Sequence, residues 1–205
     1  MAVKQEEKLL KPIQEKRLRL RIVGKSPLIV HSWSEKAKKE IRDKKMGKKT
    51  RNREACDPKA EFEAAQYRTE DGQHGIRLEA IKKSIITAAH KDLGIPRTLV
   101  MKALFVLCGD SGGILPLDPQ HEPTMREDAV TVGNRGTDLR YRPEYWPWGV
   151  ILECEIDTEC LTLDDVLTLI NRAGFGIGVG EWRPEKGGDY GRYEVDTDFG
   201  VEEVA

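Results

Sequence analysis

The order of predicted elements in this chain indicates an α+β fold, with an antiparallel sheet and two helices on one face. Residues 16–23 alternate charged and apolar side chains, which is the period of a half-buried strand. Residues 76–91 and 163–172 place apolar side chains at helical spacing, and a strand is predicted on either side of each helix. The central order of strand, helix, strand, strand, helix, strand is the split βαβ plan of the ferredoxin-like, RRM-like fold.

Side-chain patterning also predicts the connecting elements. They are a strand extension or second strand over 28–30, a helix over 35–45, a short helix or strand over 59–67, a strand buried on both faces over 99–107, a hairpin pairing 129–132 with 139–142, and strands over 148–156 and 190–196. Thr162 is predicted to cap the second helix, and Gly94 and Pro96 to end the first.

A single domain is expected over residues 16–198, between a flexible leader (1–15) and an acidic tail (199–205). A basic helical insertion over 34–70 separates the first strand from the first helix. Residues 35–54 hold ten Lys and Arg against four Asp and Glu, with few apolar side chains to bury. This part of the insertion is therefore expected to project from the domain.

Composition excludes several classes of protein. Charged residues make up 34% of the 205 residues, and no apolar run approaches the roughly 20 residues that a membrane helix needs. The first residues lack an apolar signal core, which favours a cytoplasmic protein without a membrane partner. The four cysteines form no Cys-x-x-Cys pair and the four histidines do not cluster, so neither a metal nor another cofactor is expected.

Charge is distributed unevenly although the net charge is only −1. Residues 1–60 carry 19 Lys and Arg against 8 Asp and Glu, whereas residues 161–205 carry 4 against 10. Such a bipolar chain can present a basic face to a polyanion or stack head to tail with copies of itself; the alternative is that both ends are solvated surface.

The densest motif is the glycine-rich segment, residues 174–191. It contains seven glycines with Trp182, Arg183 and Lys186. The dinucleotide-binding motif Gly-x-Gly-x-x-Gly does not fit this segment. In each possible alignment another residue occupies the position of the third glycine, and the segment follows a helix, whereas the motif follows a strand. Two interpretations remain: a structural turn that packs Trp182 under the sheet, or backbone that a polymer approaches closely.

Two further features involve basic and aromatic residues. The first is a segment in which basic and aromatic residues alternate: Arg135, Arg140, Tyr141, Arg142, Tyr145, Trp146 and Trp148. Arginines bind phosphates and aromatic rings stack on unpaired bases, so this combination suits a nucleic acid. The alternative is that the tryptophans fill the core, as is expected of Trp148. His31 follows the first strand and is a weak candidate for a general base in metal-independent RNA cleavage. As a lone histidine it fits a surface or interface position better.

Four segments resemble the RAMP superfamily of CRISPR-type RNA-binding proteins, especially its Cas7-like subunits. They are Ser26-Pro-Leu-Ile-Val-His31, the loop and helix that begin Gly75-Ile-Arg-Leu-Glu-Ala-Ile-Lys-Lys-Ser, the basic insertion, and the glycine-rich segment. The ending Trp182-Arg-Pro-x-x-Gly-Gly-x-Tyr-Gly191 is more specific and is similar to small stand-alone proteins of phage or prophage type.

The resemblance and the residues together predict a non-catalytic protein that binds single-stranded nucleic acid, RNA favoured, as an oligomer or filament of copies. Other subunits of a ribonucleoprotein complex are further expected partners. The predicted nucleic-acid contacts are Lys38, Lys39, Arg42, Lys44, Lys45, Lys48, Lys49, Arg51, Arg53, Arg77, Lys82, Arg135, Arg140, Arg142, Trp182, Arg183 and Lys186. The predicted backbone contacts are Gly174, Gly176, Gly178, Gly180, Gly187, Gly188 and Gly191. The alternatives are an RNA-processing nuclease that uses His31, and a phage structural or host-blocking module that binds protein.

Overall fold

The computed structural model describes residues 12–33, 35–47, 57–109, 112–131 and 136–204. Its α-helices are α1 (Glu35–Lys45), α2 (Pro58–Ala64), α3 (Leu78–Leu93), α4 (Arg97–Ala103) and α5 (Leu163–Arg172). Its strands are β1 (Glu15–Gly24), β2 (Leu28–Ile29), β3 (Gly75–Arg77), β4 (Leu104–Leu107), β5 (Ile114–Pro116), β6 (Thr124–Thr131), β7 (Thr137–Tyr145), β8 (Gly149–Asp157), β9 (Tyr193–Val195) and β10 (Val201–Val204).

The main sheet has the strand order β10–β1–β8–β4, and β9 pairs with β1 beside β10. Every pairing in this sheet is antiparallel. If β9 and β10 are counted as one strand, the core strands in chain order are β1, β4, β8 and β9–β10. Across the sheet they lie in the order fourth, first, third, second, which is the split βαβ arrangement. Helices α3 and α5 pack on each other. The predicted α+β, ferredoxin-like fold is therefore confirmed.

Alternation along β1 separates the core from the open face of the sheet. Leu18, Leu20 and Ile22 are buried and join the apolar side chains of α3 and α5 in one core. Each fully buried side chain of this size contributes about 1.5–3 kcal/mol. The intervening arginines form ion pairs on the other face: Arg17 with Glu155 at 2.6 Å, Arg19 with Glu202 at 3.6 Å and Arg21 with Asp196 at 2.9 Å. Neighbouring strands thus neutralise the positive charge of β1.

A hairpin and short pairings are added to this core. Strands β6 and β7 form the predicted hairpin, with Ala129 opposite Leu139; β6 begins five residues earlier than expected, and β7 is longer at both ends. Strand β2 extends the same sheet. Strands β3 and β5 pair beside the start of α3. Trp148 is buried as expected, and of the two undecided aromatics Tyr145 is buried whereas Trp146 is 51% exposed.

The basic insertion has two distinct parts in the described residues. Side chains from Lys38 to Met46 on and after α1 are exposed, apart from partly buried Asp43, as a projecting segment would be. Helix α2 instead returns to the domain: Ala65 and Gln66 are buried, and the Ala65 carbonyl accepts the Ser32 N–H at 2.8 Å. The undecided segment 59–67 is therefore mainly helical and anchored.

Two predictions about elements need correction. The apolar segment 99–107 is not one strand buried on both faces: it is mostly α4 followed by the four residues of β4, in which Phe105 is 45% exposed. Residues 201–204, expected in an acidic tail, form β10, where Glu202 and Glu203 pair with Arg19 and Lys16 across the sheet. The outer domain boundaries otherwise stay a prediction.

Helix α5 begins as its sequence predicts. The Thr162 hydroxyl accepts the Asp165 N–H at 3.1 Å, and the Asp165 carboxylate accepts the Thr162 N–H at 2.9 Å, which completes a capping box. The helix then widens into a π-helical turn over residues 173–177 and leads into the rest of the glycine-rich segment.

Candidate nucleic-acid interface

Close packing inside the protein explains why glycine occupies most of its positions in the glycine-rich segment. A Cβ on Gly174 would meet the Tyr193 carbonyl, one on Gly188 the Trp182 carbonyl, and one on Gly191 the Val179 carbonyl. Gly178, Gly180, Gly187 and Gly191 also have positive φ angles, which glycine adopts without strain. Trp182 shares that conformation at φ 53°, and its side chain is 41% exposed instead of packed under the sheet.

The expectation that this segment offers its N–H groups freely to phosphates is wrong for most of them, because they donate hydrogen bonds within the protein. Val179 N–H donates to Gly191, Glu181 N–H to Ile29 and Gly191 N–H to Pro27, at 2.8–2.9 Å. The N–H groups of residues 178, 186–188 and 190 are also used internally. These bonds tie the segment to the end of β2 and fix its position beside the next features.

The charged side chains of the segment are partly engaged as well. Arg183 donates to the Gly180 carbonyl at 2.9 Å and pairs with Glu185 at 2.9 Å. Glu185 also pairs with Lys91 at 3.2 Å; burial opposes its ionisation, but hydrogen bonds from these two cations leave its pKa below the usual value. Lys186 is exposed. Arg183 therefore orders the turn in addition to supplying charge.

Arg142 is a buried structural residue, contrary to its predicted surface role. Its side chain is 4% exposed and lies 3.3 Å from Asp128 and 3.6 Å from Glu181. Arg126 joins the same cluster, with Asp128 at 2.7 Å and Glu144 at 2.8 Å. This network joins the β6–β7 hairpin to the glycine-rich segment and leaves Arg142 unable to reach a ligand without disrupting it.

A cleft of about 480 Å³ opens where the chain leaves β2 for the basic insertion. We call it the His31 cleft; its lining includes His31, Trp33, Lys38, Tyr67, Arg77 and Glu79. Trp33 is 62% exposed, so its ring offers a large surface to a planar partner. The cleft thus combines two aromatic rings with two cations, the combination that stacks bases and neutralises phosphates.

His31 sits in this cleft as a neutral group at physiological pH. Burial lowers its pKa, and the nearby Arg142 and Arg140 guanidiniums lower it further. Its Nδ1 is buried and has no hydrogen-bond partner among the described residues. The neutral imidazole can therefore accept or donate a hydrogen bond, but it carries no positive charge.

Arg77 and Tyr67 also line the cleft. Arg77 donates two hydrogen bonds to Glu79, at 3.1 Å from Nε and 3.0 Å from Nη2. The Arg77 hydrogen bonds hold the pKa of Glu79 below its usual value. The Tyr67 hydroxyl donates to the His31 carbonyl at 3.3 Å, so the wall is fixed to the end of β2.

The predicted site residues fall into separate groups. Lys38 and Arg77 line the His31 cleft, and Lys39, Arg42, Lys44 and Lys45 are exposed farther along α1. Lys82 instead lies over the ring of Phe105 at 4.5 Å, and Arg140 is half-buried at 3.9 Å from Asp138. Lys48, Lys49, Arg51, Arg53 and Arg135 lie outside the described residues.

Several site residues were not predicted from sequence. Trp33 and Tyr67 line the cleft, and Lys83 and Thr87 line a second cavity between α3 and the glycine-rich segment, together with Arg183. The sequence does contain a signal for Trp33, because Ser32-Trp33-Ser34 follows a predicted strand and directly precedes the basic segment. The others depend on contacts between distant parts of the chain.

Two kinds of feature are missing from the described part of the chain. It contains no group of three or more His, Cys, Asp or Glu placed to hold a metal ion. Within the same residues, no helix has the length and apolar character to span a bilayer.

The fold and the cleft define an α+β, ferredoxin-like protein with a basic and aromatic groove. No family model and no curated protein matches the sequence. Among solved structures, it is similar to a chain in the cryo-EM structure of the Type III-B Cmr-beta bound to cognate target RNA, at 10% identity and a TM-score of 0.45. The alignment covers 93% of this chain and 61% of that one, so this chain spans about three fifths of its length.

Proposed function

We propose that this protein binds single-stranded nucleic acid, with RNA favoured, along the His31 cleft. One observation carries the proposal: exposed Trp33 and two cations, Lys38 and Arg77, line the same cleft. Unpaired bases stack on aromatic rings, and phosphates bind arginine and lysine, so both parts of a single strand find partners here. The neighbouring cations of α1 extend the positive surface beyond the cleft.

The proposal retains a revised role for the glycine-rich segment. Its internal hydrogen bonds make it a rigid wall of the second cavity, beside α3, and it carries Trp182, Arg183 and Lys186 as side chains for the ligand. Preorganised walls reduce the entropy lost when a flexible strand binds.

We extend the proposal to assembly of copies along one strand, as a RAMP-like subunit of the stand-alone, phage or prophage type. The uneven charge of the sequence supports this extension: residues 1–60 carry 19 Lys and Arg against 8 Asp and Glu, whereas residues 161–205 carry 4 against 10. Opposite charges on two faces favour head-to-tail contacts between copies. Sedimentation with and without RNA tests this extension: a species that stays monomeric on a long RNA would exclude it.

The direct test measures binding of a labelled single-stranded RNA of 20 nucleotides by fluorescence anisotropy. Loss of one base–aromatic stack is worth about 1–3 kcal/mol, so Trp33→Ala should weaken binding by about 10-fold. Trp146→Ala is the matched control, because Trp146 is 51% exposed and does not line the cleft. Equal effects of the two substitutions, or wild-type protein that does not bind, would contradict the proposal.

A second candidate function is metal-independent RNA cleavage with His31 as general base. It is favoured by one observation: a neutral imidazole with lowered pKa lines a cleft that also holds Lys38 and Arg77. In this case His31→Ala would abolish cleavage, measured with excess chelator, and leave binding nearly intact. Intact RNA after prolonged incubation with wild-type protein would exclude it.

A protein-binding module is the third possibility. It would be favoured if purified protein eluted without nucleic acid and gave no mobility shift with RNA or DNA. The ratio of ultraviolet absorbance at 260 and 280 nm, read with the elution volume, separates this outcome from the first proposal.

A further inference from the structure

The second cavity lies between α3 and the glycine-rich segment and has a volume of about 190 Å³. Its polar lining includes Lys83, Ser84, Thr87, Arg183 and Glu185. Complete small-molecule sites usually measure about 300–1,000 Å³, so this cavity suits one part of a larger ligand. A single sugar or phosphate group of a polymer is such a part.

Thr87 is the unusual residue in this cavity. It is only 8% exposed, yet its hydroxyl makes no hydrogen bond to any residue in the described part of the chain. The neighbouring Ser84 hydroxyl is fully used: it donates to the Ile81 carbonyl at 2.8 Å and can then accept from the Tyr193 hydroxyl at 2.6 Å. The Thr87 Oγ1 is not one of the fully buried side-chain atoms that lack a partner, so it reaches solvent; because Thr87 lines the cavity, this hydroxyl can pair with a ligand hydroxyl there.

The charges at the cavity favour a phosphate beside that hydroxyl. Lys83 is exposed and forms no ion pair with a described residue, whereas Arg183 is held by Glu185 and the Gly180 carbonyl. Lys83 therefore keeps its charge for a ligand. Thr87 lies one helical turn farther along α3, on the same face of the helix.

The cavity and the His31 cleft lie along the same part of the molecule. The α3 region supplies Arg77 and Glu79 to the cleft and Lys83 and Thr87 to the cavity. At 1.5 Å of rise per residue, Glu79 of the cleft and Thr87 of the cavity are about 12 Å apart along α3. The glycine-rich segment connects the two sites as well: Gly180, which lines the cavity, packs on Ile29, two residues before His31 of the cleft.

We propose that the Thr87 cavity recognises the ribose 2′-hydroxyl of an RNA strand that occupies the His31 cleft, with Lys83 on an adjacent phosphate. This inference rests on the proposed function and adds the means by which RNA is told from DNA. The 2′-hydroxyl is the group that DNA lacks. A site that pairs with a ligand hydroxyl rejects the analogue without it, because the bound strand excludes water and the protein hydroxyl then stays unpaired.

The test compares single-stranded RNA and DNA of one sequence, with uracil in both, against wild-type protein and Thr87→Val. Valine keeps the shape of threonine and removes the hydroxyl. Wild-type protein should bind RNA at least about 10-fold more tightly than DNA, by analogy with other hydroxyl-reading sites. Thr87→Val should reduce this ratio severalfold by weakening RNA binding alone, and Thr87→Ser, which keeps the hydroxyl, should restore it.

The controls separate this inference from the proposed function. Trp33→Ala should weaken RNA and DNA binding alike, and Thr98→Val, at an exposed position of α4, should change neither. A ratio unchanged by Thr87→Val, or an equal loss for both polymers, would overturn the inference while leaving the proposed function standing. Absence of binding to both polymers by wild-type protein would overturn both.

Discussion

Gly180 lies where the glycine-rich segment crosses the end of β2, and it is sensitive to a single added carbon. Its φ is +76°, and a Cβ would meet the Ile29 carbonyl, which accepts the Glu181 N–H. Gly180→Ala should lower the free energy of unfolding by at least about 2 kcal/mol, from backbone strain and the displaced carbonyl. Gly187→Ala is the control for strain alone, since φ is +81° with no atom near the added carbon, and should cost about 1 kcal/mol. Equal losses in urea denaturation would refute the role of the Ile29 contact.

His31 should make stability depend on pH in a defined direction. Its pKa in the folded protein is lowered from 6.5, first by burial and then by Arg142 and Arg140. Below about pH 6.5 the unfolded chain therefore binds more protons, and the free energy of unfolding falls as pH drops through this range. His31→Gln should flatten that fall between pH 7.5 and 5, measured by urea denaturation, with His90→Gln on exposed α3 surface as control. A slope unchanged by His31→Gln would show that burial does not affect this imidazole.

At the scale of elements, a buried ion network attaches the β6–β7 hairpin to the glycine-rich segment. Asp128 is its centre, 2.7 Å from Arg126 and 3.3 Å from Arg142. Asp128→Asn removes a carboxylate that neutralises the buried Arg142 side chain, so the free energy of unfolding should fall by about 3 kcal/mol. Glu155→Gln breaks the exposed pair with Arg17 and should cost much less, because solvent screens an exposed ion pair. Equal costs in the same unfolding experiment would mean that the network does not anchor the hairpin.

Elements were predictable from sequence wherever side-chain periodicity has one interpretation. The alternation of β1 and the capped, amphipathic α5 were predicted nearly to the residue. The apolar segment 99–107 was mistaken for one strand, because an apolar run also suits a buried helix. Strand β10 was missed because Glu202 and Glu203 suit a solvated tail unless arginines of β1 lie beside them.

The candidate site was less predictable than the fold. Its cations were found from composition, but the burial of Arg142 depends on Asp128 and Glu181, which lie on different segments. The glycine-rich segment was located correctly, whereas its N–H groups were assigned to phosphates because sequence does not reveal internal hydrogen bonds. Tyr67 and Arg77 meet in the cleft only after α2 has packed back on the domain.

At the scale of the whole molecule, the net charge of −1 does not oppose binding to a polyanion, because basic residues are concentrated in residues 1–60, with 19 Lys and Arg against 8 Asp and Glu. The open sheet face is neutralised by ion pairs between neighbouring strands, and the exposed cations of α1 lie next to the His31 cleft. Affinity for a nucleic acid should therefore depend on this one side of the molecule.

Salt dependence provides the measurement of that charge. For single strands, the logarithm of the affinity falls with the logarithm of salt concentration with a slope of about −0.7 per neutralised phosphate. Lys38→Gln and Arg77→Gln should each make the slope shallower by about 0.7, whereas Lys102→Gln on exposed α4 surface should leave it unchanged. Arg77→Gln should also weaken binding beyond its effect on the slope, because it leaves the Glu79 carboxylate without its arginine. Arg77→Gln combined with Glu79→Gln should recover that extra loss. A salt slope unchanged by Arg77→Gln would place Arg77 outside the phosphate path.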